Sequence, residues 1–144
     1  RLPSEAEWLW AAHGRDAGMF PWGAGWPPPA GAGNFADAGS AGKGWLGGTI
    51  SGCADGFPAS APAGSFPANR FGLHELWGNV WEWCTPADPG GATGAPGEPP
   101  PVRRHLRGGA WTEWHPLWLR SGAAWEPWEQ KHPAVGFRVA MDGE

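Results

Sequence analysis

The chain has 144 residues, with 14 Asp and Glu against 10 Lys and Arg, and it carries 13 Trp, 25 Gly and 17 Pro. That length suits one domain with its own buried core. The mildly acidic balance, with a single short basic cluster at Arg103-Arg104-His105-Leu106-Arg107, excludes a nucleic-acid face, and no apolar run approaches the roughly 20 residues of a membrane-spanning helix.

No signal peptide is visible. The glycine and proline content would suit a low-complexity chain, but the tryptophans argue for a loop-rich globular domain held by aromatic packing.

In chain order, the first predicted element is a helix over Glu5–His13. Ser4 is its N-cap, Glu7 at N3 closes a capping box, and Gly14 stands where a C′ glycine belongs. The spacing of Ala6, Leu9 and Trp10 predicts that these three form the packed face. Residues 20–33, FPWGAGWPPPAGAG, sustain neither helix nor central strand and read as loop, with Trp22 and Trp26 tucked against the core. Residues 34–66 are irregular apart from a short strand at Ala63–Phe66, and Phe71–Trp77 suits one helical turn. Val80–Cys84 reads as a strand, with Val80, Glu82 and Cys84 on one face and Trp81 and Trp83 on the other. Residues 86–101, rich in Pro and Gly, form a surface loop. Strands follow at Arg104–Ala110, where the basic cluster is a solvated lead-in, and at Trp118–Ser121 and Gly136–Met141. Cys53 and Cys84 have no CxxC or zinc-type spacing. They read as free, partly buried thiols, with a disulfide between them left open.

The segment from Trp111 to Pro133, WTEWHPLWLRSGAAWEPWEQKHP, interleaves five Trp with Glu, His and Arg. Trp and Arg dominate binding hot spots because they give large contact area at low entropy cost. Trp111, Leu117, Leu119 and Val135 read as core. Trp114, Trp118, Trp125 and Trp128 fall in loop positions, some of them exposed. The candidate ligand-binding set is Trp111, Glu113, Trp114, His115, Trp118, Arg120, Trp125, Glu126 and Trp128, and it would take a protein or small-molecule ligand.

Four blocks carry a resemblance. They are RLPSEAEW at the start, GLHELWGNVWEW over 72–83, LRGGAW over 106–111 and VGFRVA over 135–140. In this order they resemble the formylglycine-generating-enzyme (sulfatase-modifying-factor) family. The resemblance implies an α+β, C-type-lectin-like fold, loop-rich with short strands and few helices. It also implies that residues 1–144 are the C-terminal part of one such domain, without the family's first strand and first long helix.

Members of that family bind calcium. Carried over, one site comprises the Asn34 side chain, the Phe35 carbonyl, the Asp55 carboxylate and the Phe57 carbonyl. A second comprises the carbonyls of Glu75, Gly78 and Val80 with the Glu82 carboxylate. Calcium takes 6–8 oxygens, carbonyls among them, and irregular backbone leaves carbonyls free for it. The plainer alternative is that Asp55 and Glu82 only satisfy backbone N–H groups.

Catalytic members hold copper(I) with a cysteine pair a few residues after a GGS[WYF] block, which in this chain reads Gly108-Gly109-Ala110-Trp111. Here those positions fall at about Glu113 and Trp118, and no cysteine follows Cys84. A carboxylate and an indole do not replace two soft thiolates, so copper and formylglycine generation are not expected. The resemblance leaves other readings. One is a non-catalytic binding domain, extending to the variable proteins of diversity-generating retroelements, which vary side chains near the C terminus over a constant frame. Another is the partner domain of an iron-dependent sulfoxide synthase or an oxidase relative. A third is a regulatory domain fused to a signalling module.

Overall fold

A computed structural model describes residues 1–15, 18, 20–40, 47–85, 104–121, 124–126 and 131–143. The backbone alone is described at Arg104, at Arg120 and Ser121, and at residues 124–126. The surface loop expected at 86–101 lies outside the described residues.

The chain opens with α1, Glu5–His13. Its N terminus closes as a capping box, with the Glu7 N–H donating to Ser4 Oγ at 3.2 Å and the Ser4 N–H donating to the Glu7 carboxylate at 2.7 Å. Gly14, at φ 62°, ends the helix and donates to the Trp10 carbonyl at 2.7 Å. The packed face differs from the predicted one. Trp8 and Ala12 are buried and Leu9 packs beside them, whereas Ala6 and Trp10 face solvent. The reason is tertiary: the Trp8 ring meets Trp77 edge-on at 5.9 Å, and its indole N–H donates to buried Glu82 at 2.6 Å. This contact rotates the buried stripe away from Trp10.

The remaining elements are β1 (Trp81–Cys84), β2 (Arg104–Arg107), α2 (Pro116–Ser121), β3 (Ala124–Glu126) and β4 (Val135–Gly136). They form a sheet of order β3-β2-β1-β4, antiparallel except for the parallel β1–β4 pair. Trp83 lies opposite Leu106, and Trp81 opposite Val135. The parity read for β1 holds. Glu82 and Cys84 join the α1 side, where Trp8, Phe35, Leu76 and Trp77 form the larger core cluster. Trp81 and Trp83 belong to the opposite cluster, with Leu106, Ala110 and Trp111.

Several expectations are corrected. Residues 63–66 form a turn rather than a strand, with the Ser65 N–H on the Pro62 carbonyl at 3.2 Å. The stretch 71–77 is not helical, because the Asn69 side-chain oxygen takes the N–H groups of Phe71 and Leu73, at 2.9 and 3.2 Å, and offers the backbone a competing partner. The strand predicted at Arg104–Ala110 stops at Arg107, where Gly108 and Gly109 take φ values of 99° and 78°. A Cβ on Gly108 would press against the Leu76 carbonyl and the Trp8 ring. Trp118–Ser121 is helical within α2, since the His115 carbonyl accepts from the N–H groups of Trp118 and Leu119. That turn buries Leu119 and leaves Leu117 61% exposed, so Leu117 is not core. Of the last predicted strand, Gly136–Met141, only Gly136 lies in β4, which begins at Val135, while β3 adds a strand the sequence reading missed. Trp22 packs against the core as expected, but Trp26 is 40% exposed.

At His105 and Arg107 the basic cluster is not a solvated lead-in. His105 and Arg107 both contact the Glu5 carboxylate, and Arg107 is buried, which lowers its pKa. Cys53 and Cys84 are both free thiols.

Candidate functional site

After β2, the glycine turn at 108–109 brings the backbone across to the first loop of the chain. The Trp111 N–H donates to the Asn79 carbonyl at 2.9 Å, and the Glu113 N–H donates to the Ala110 carbonyl at 3.0 Å. The Glu113 carbonyl in turn accepts from the Ala36 N–H at 3.0 Å. Glu113 is therefore held by its backbone on both sides before its side chain makes any contact.

That side chain reaches a cavity of about 310 Å³ lined by Trp81, Leu106, Thr112, Glu113, Trp118, His132 and Val135. Glu113 Oε1 accepts from the Trp81 indole N–H at 3.0 Å and from the Thr112 hydroxyl at 3.3 Å. Burial raises the Glu113 pKa, and these two hydrogen bonds, which favour the ionised form, offset part of that rise. Trp118 closes one side from α2 with half its surface exposed.

The structure thus brings Glu113 and Trp118 to one cavity. Trp114 is 38% exposed and lies so close to Gly47 and Gly48 that a Cβ on either would meet its ring, with His115 edge-on to it at 5.5 Å. The His115 ring nitrogen Nδ1 accepts from the Leu117 N–H at 3.2 Å, which places this ring at the start of α2. Trp111 is buried in the core cluster that also contains Trp81. Trp125 and Glu126 lie on β3 and Arg120 on α2, in both cases as backbone only. Trp128 lies outside the described residues. Sequence reasoning missed Trp81, Thr112 and His132 as cavity residues. The strand parity that set Trp81 opposite Glu82 was the available signal, but it did not say what that face would meet.

The carried-over copper positions coincide with this cavity, yet its lining holds no thiol, and a carboxylate with an indole does not fit copper(I). Cys84 is buried among the α1-side core, which pushes its thiol up to about 12.

The four residues of the first calcium set lie close together. Asp55 accepts from the N–H groups of Phe35 and Phe57 at 2.8 and 2.9 Å, and its own N–H donates to the Asp37 carboxylate at 2.8 Å. Burial, and to a smaller degree the Asp37 charge, raise the Asp55 pKa against the pull of those two N–H groups. The Asn34 side-chain nitrogen donates to the Ala59 carbonyl at 2.8 Å, while its Oδ1 is buried with no hydrogen-bond partner. Both Asp55 oxygens thus accept backbone N–H groups, as the plainer alternative has it, and among the described residues no group of three or more His, Cys, Asp or Glu is placed to hold a metal ion. The two neighbouring carboxylates and the amide oxygen are nonetheless donors of the kind a hard cation takes.

The second set does not fit one as well. Both Glu82 carboxylate oxygens accept from Arg138, at 2.5 and 2.6 Å, and one also takes the Trp8 indole N–H, so a guanidinium already supplies the positive charge. The Glu75 carboxylate accepts from the N–H groups of Gly64 and Phe66. Gly78, at φ 75°, runs so close to Asn34 that a Cβ would strike its carbonyl, and Val80 follows just before β1.

Comparison with known proteins adds the following. A family model, the sulfatase-modifying factor enzyme 1-like domain, matches residues 1–143. The formylglycine-generating enzyme of Mycobacterium tuberculosis is 38% identical over 92 residues, 59% of this chain and 26% of that protein. The inactive C-alpha-formylglycine-generating enzyme 2 of Mus musculus is 35% identical over 118 residues, 78% of this chain and 32% of that one. Among solved structures, PvdO from Pseudomonas aeruginosa superposes with a TM-score of 0.62 at 27% identity, over 95% of this chain and 50% of its own. Treponema denticola variable protein 1 does so with a TM-score of 0.55 at 26% identity, over 95% and 45%. The chain therefore spans a quarter to a third of these curated relatives and about half of these structures.

Proposed function

The chain belongs to the family of sulfatase-modifying factor enzyme 1-like domains, and we propose that it acts there as a non-catalytic domain that binds a ligand at the aromatic surface of residues 111–133. The observation that carries this reading is the cavity beside Glu113. It lies where the family resemblance would put the copper-binding cysteines, and it offers indoles, aliphatic groups and one carboxylate instead of thiols. Pockets of this make-up, apolar walls with a few fixed polar groups, suit binding. The naming of one relative as inactive and the likeness to a variable protein are consistent with it.

The finer part of the proposal is that the segment is diversified. On either side of it, Leu106-Arg107 belong to β2, Gly108-Gly109 to the turn after it, and Val135-Gly136 to β4. The residues between contribute α2 and the outer wall of the cavity. Calcium at Asn34, Phe35, Asp55 and Phe57 would brace the loop beneath Ala36, whose N–H holds the Glu113 carbonyl. The contribution proposed for calcium is structural, a charge partner for Asp37 and Asp55.

Two measurements test the reading. Sequencing the 3′ end of the gene across its source population should find substitutions concentrated between Trp111 and Pro133 over an unchanging frame. A uniform segment would discard diversification and leave a fixed binding domain. Metal analysis of the purified full-length protein should find calcium, and stoichiometric copper or iron would overturn the non-catalytic reading.

A further inference from the structure

We propose that the cavity beside Glu113 takes an organic ammonium group, the head of a small amine, with Glu113 as its counter-ion and the indoles of Trp81 and Trp118 as walls. The inference rests on the ligand-binding reading above and gives it a ligand class.

The argument starts from the unbalanced charge. Glu113 Oε1 is engaged by the Trp81 N–H and the Thr112 hydroxyl, both neutral donors, and among the described residues no Lys or Arg lines the cavity. His132, an exposed member of the lining, accepts the Ala134 N–H on Nδ1 at 3.2 Å. A carboxylate turned towards a largely apolar cavity without a cationic partner is unfavourable, because desolvation penalises the charged form. The raised pKa of this group is the expression of that penalty. A ligand bringing a positive charge removes it, whereas a ligand carboxylate or phosphate would add a second like charge.

The walls agree with the charge. Trp118 presents a half-exposed indole and Trp81 a buried one to the same space. Indole is the strongest of the aromatic partners for a cation, and the attraction grows when water is excluded. Leu106 and Val135 complete an apolar surface for the body of the amine. A volume of about 310 Å³ is at the small end of ligand pockets. It suits a metabolite-sized amine or a single projecting side chain rather than a folded partner. Glu113 is also pre-positioned: its backbone is hydrogen-bonded on both sides and its Oε1 is anchored, so little ordering remains to be done on binding.

The test is a titration of the full chain with n-pentylamine, n-pentanol and pentanoate at neutral pH, followed by tryptophan fluorescence and calorimetry. Pentylamine is expected to bind at least tenfold more tightly than pentanol, and pentanoate more weakly than either. Glu113→Gln, which keeps an acceptor for the Trp81 N–H, should bring pentylamine down to the level of pentanol while its melting temperature shows the fold intact. Trp118→Ala should weaken pentylamine and shrink the fluorescence response. If pentanol or pentanoate binds as tightly as pentylamine, or if Glu113→Gln leaves pentylamine binding unchanged, the cation proposal fails while the cavity remains a ligand site. If none of the three probes binds, the proposal is overturned together with the ligand-binding reading of this cavity.

Discussion

Glu82, which is buried, and Glu113, which is partly buried, have opposite surroundings. Glu82 faces the Arg138 guanidinium and the Trp8 indole, with side-chain exposures of 7% for Glu82 and 22% for Arg138. Removing the charge in Glu82→Gln strands Arg138 in a mostly buried position, and loss of one partner of such a pair costs about 3 kcal/mol. A urea melt should show the midpoint falling with an unchanged slope. Glu113 has no such partner among the described residues of its cavity. Its folded pKa lies above the ordinary 4.5, so its ionisation destabilises the native state. Stability from this group is greatest below the unfolded value and is lost as pH rises through the folded one. Glu113→Gln abolishes that titration. Its melting temperature should exceed that of the unmodified protein by a few degrees at pH 8, and the two should converge towards pH 4. Equal melting temperatures at both pH values would contradict the assignment.

At the level of elements, α1 was the most legible part of the chain, because a capping box is a local device that Ser4 and Glu7 complete between themselves. Ser4→Ala should lower stability by about 1 kcal/mol, read as a shift of the denaturation midpoint. A variant of unchanged stability would mean that tertiary packing alone holds the helix start. The strand at Trp81–Cys84 was legible too, since alternation needs only the strand's own residues. Elements whose form is set by a side chain or carbonyl just outside them were misread. Residues 118–121 look like a strand by composition, but His115 supplies a helix start through its carbonyl and its ring. Residues 71–77 look helical until the Asn69 side chain captures their N–H groups.

Across the molecule, few of the described residues sit in regular elements, and irregular loops carry buried polar groups such as Asn34, Asp37 and Asn79. Calcium beside Asp55 and Asp37 would tie residues 34–37 and 55–57 together, and through Ala36 it would reach the Glu113 backbone. Chelation with EGTA is therefore expected to lower the melting temperature by several degrees, in line with the loss of a ligand that binds only the folded state. No shift would count against the calcium proposal.

The division between what the residues announce and what only the folded chain decides follows the range of the interactions. The sequence by itself determined the fold family, the capped first helix, the alternation of β1 and the absence of the thiols that copper would need. Each of these depends on residue identity at short spacing or on ordered blocks along the chain. Tertiary structure decided which face of α1 is buried, that Arg107 is paired inside rather than solvated, and that Glu113 and Trp118 share a cavity with Trp81 and His132. Those outcomes depend on contacts between segments up to about a hundred residues apart, such as Glu5 with His105. Only the closing of the sheet and the glycine turn at 108–109 brings those segments into reach.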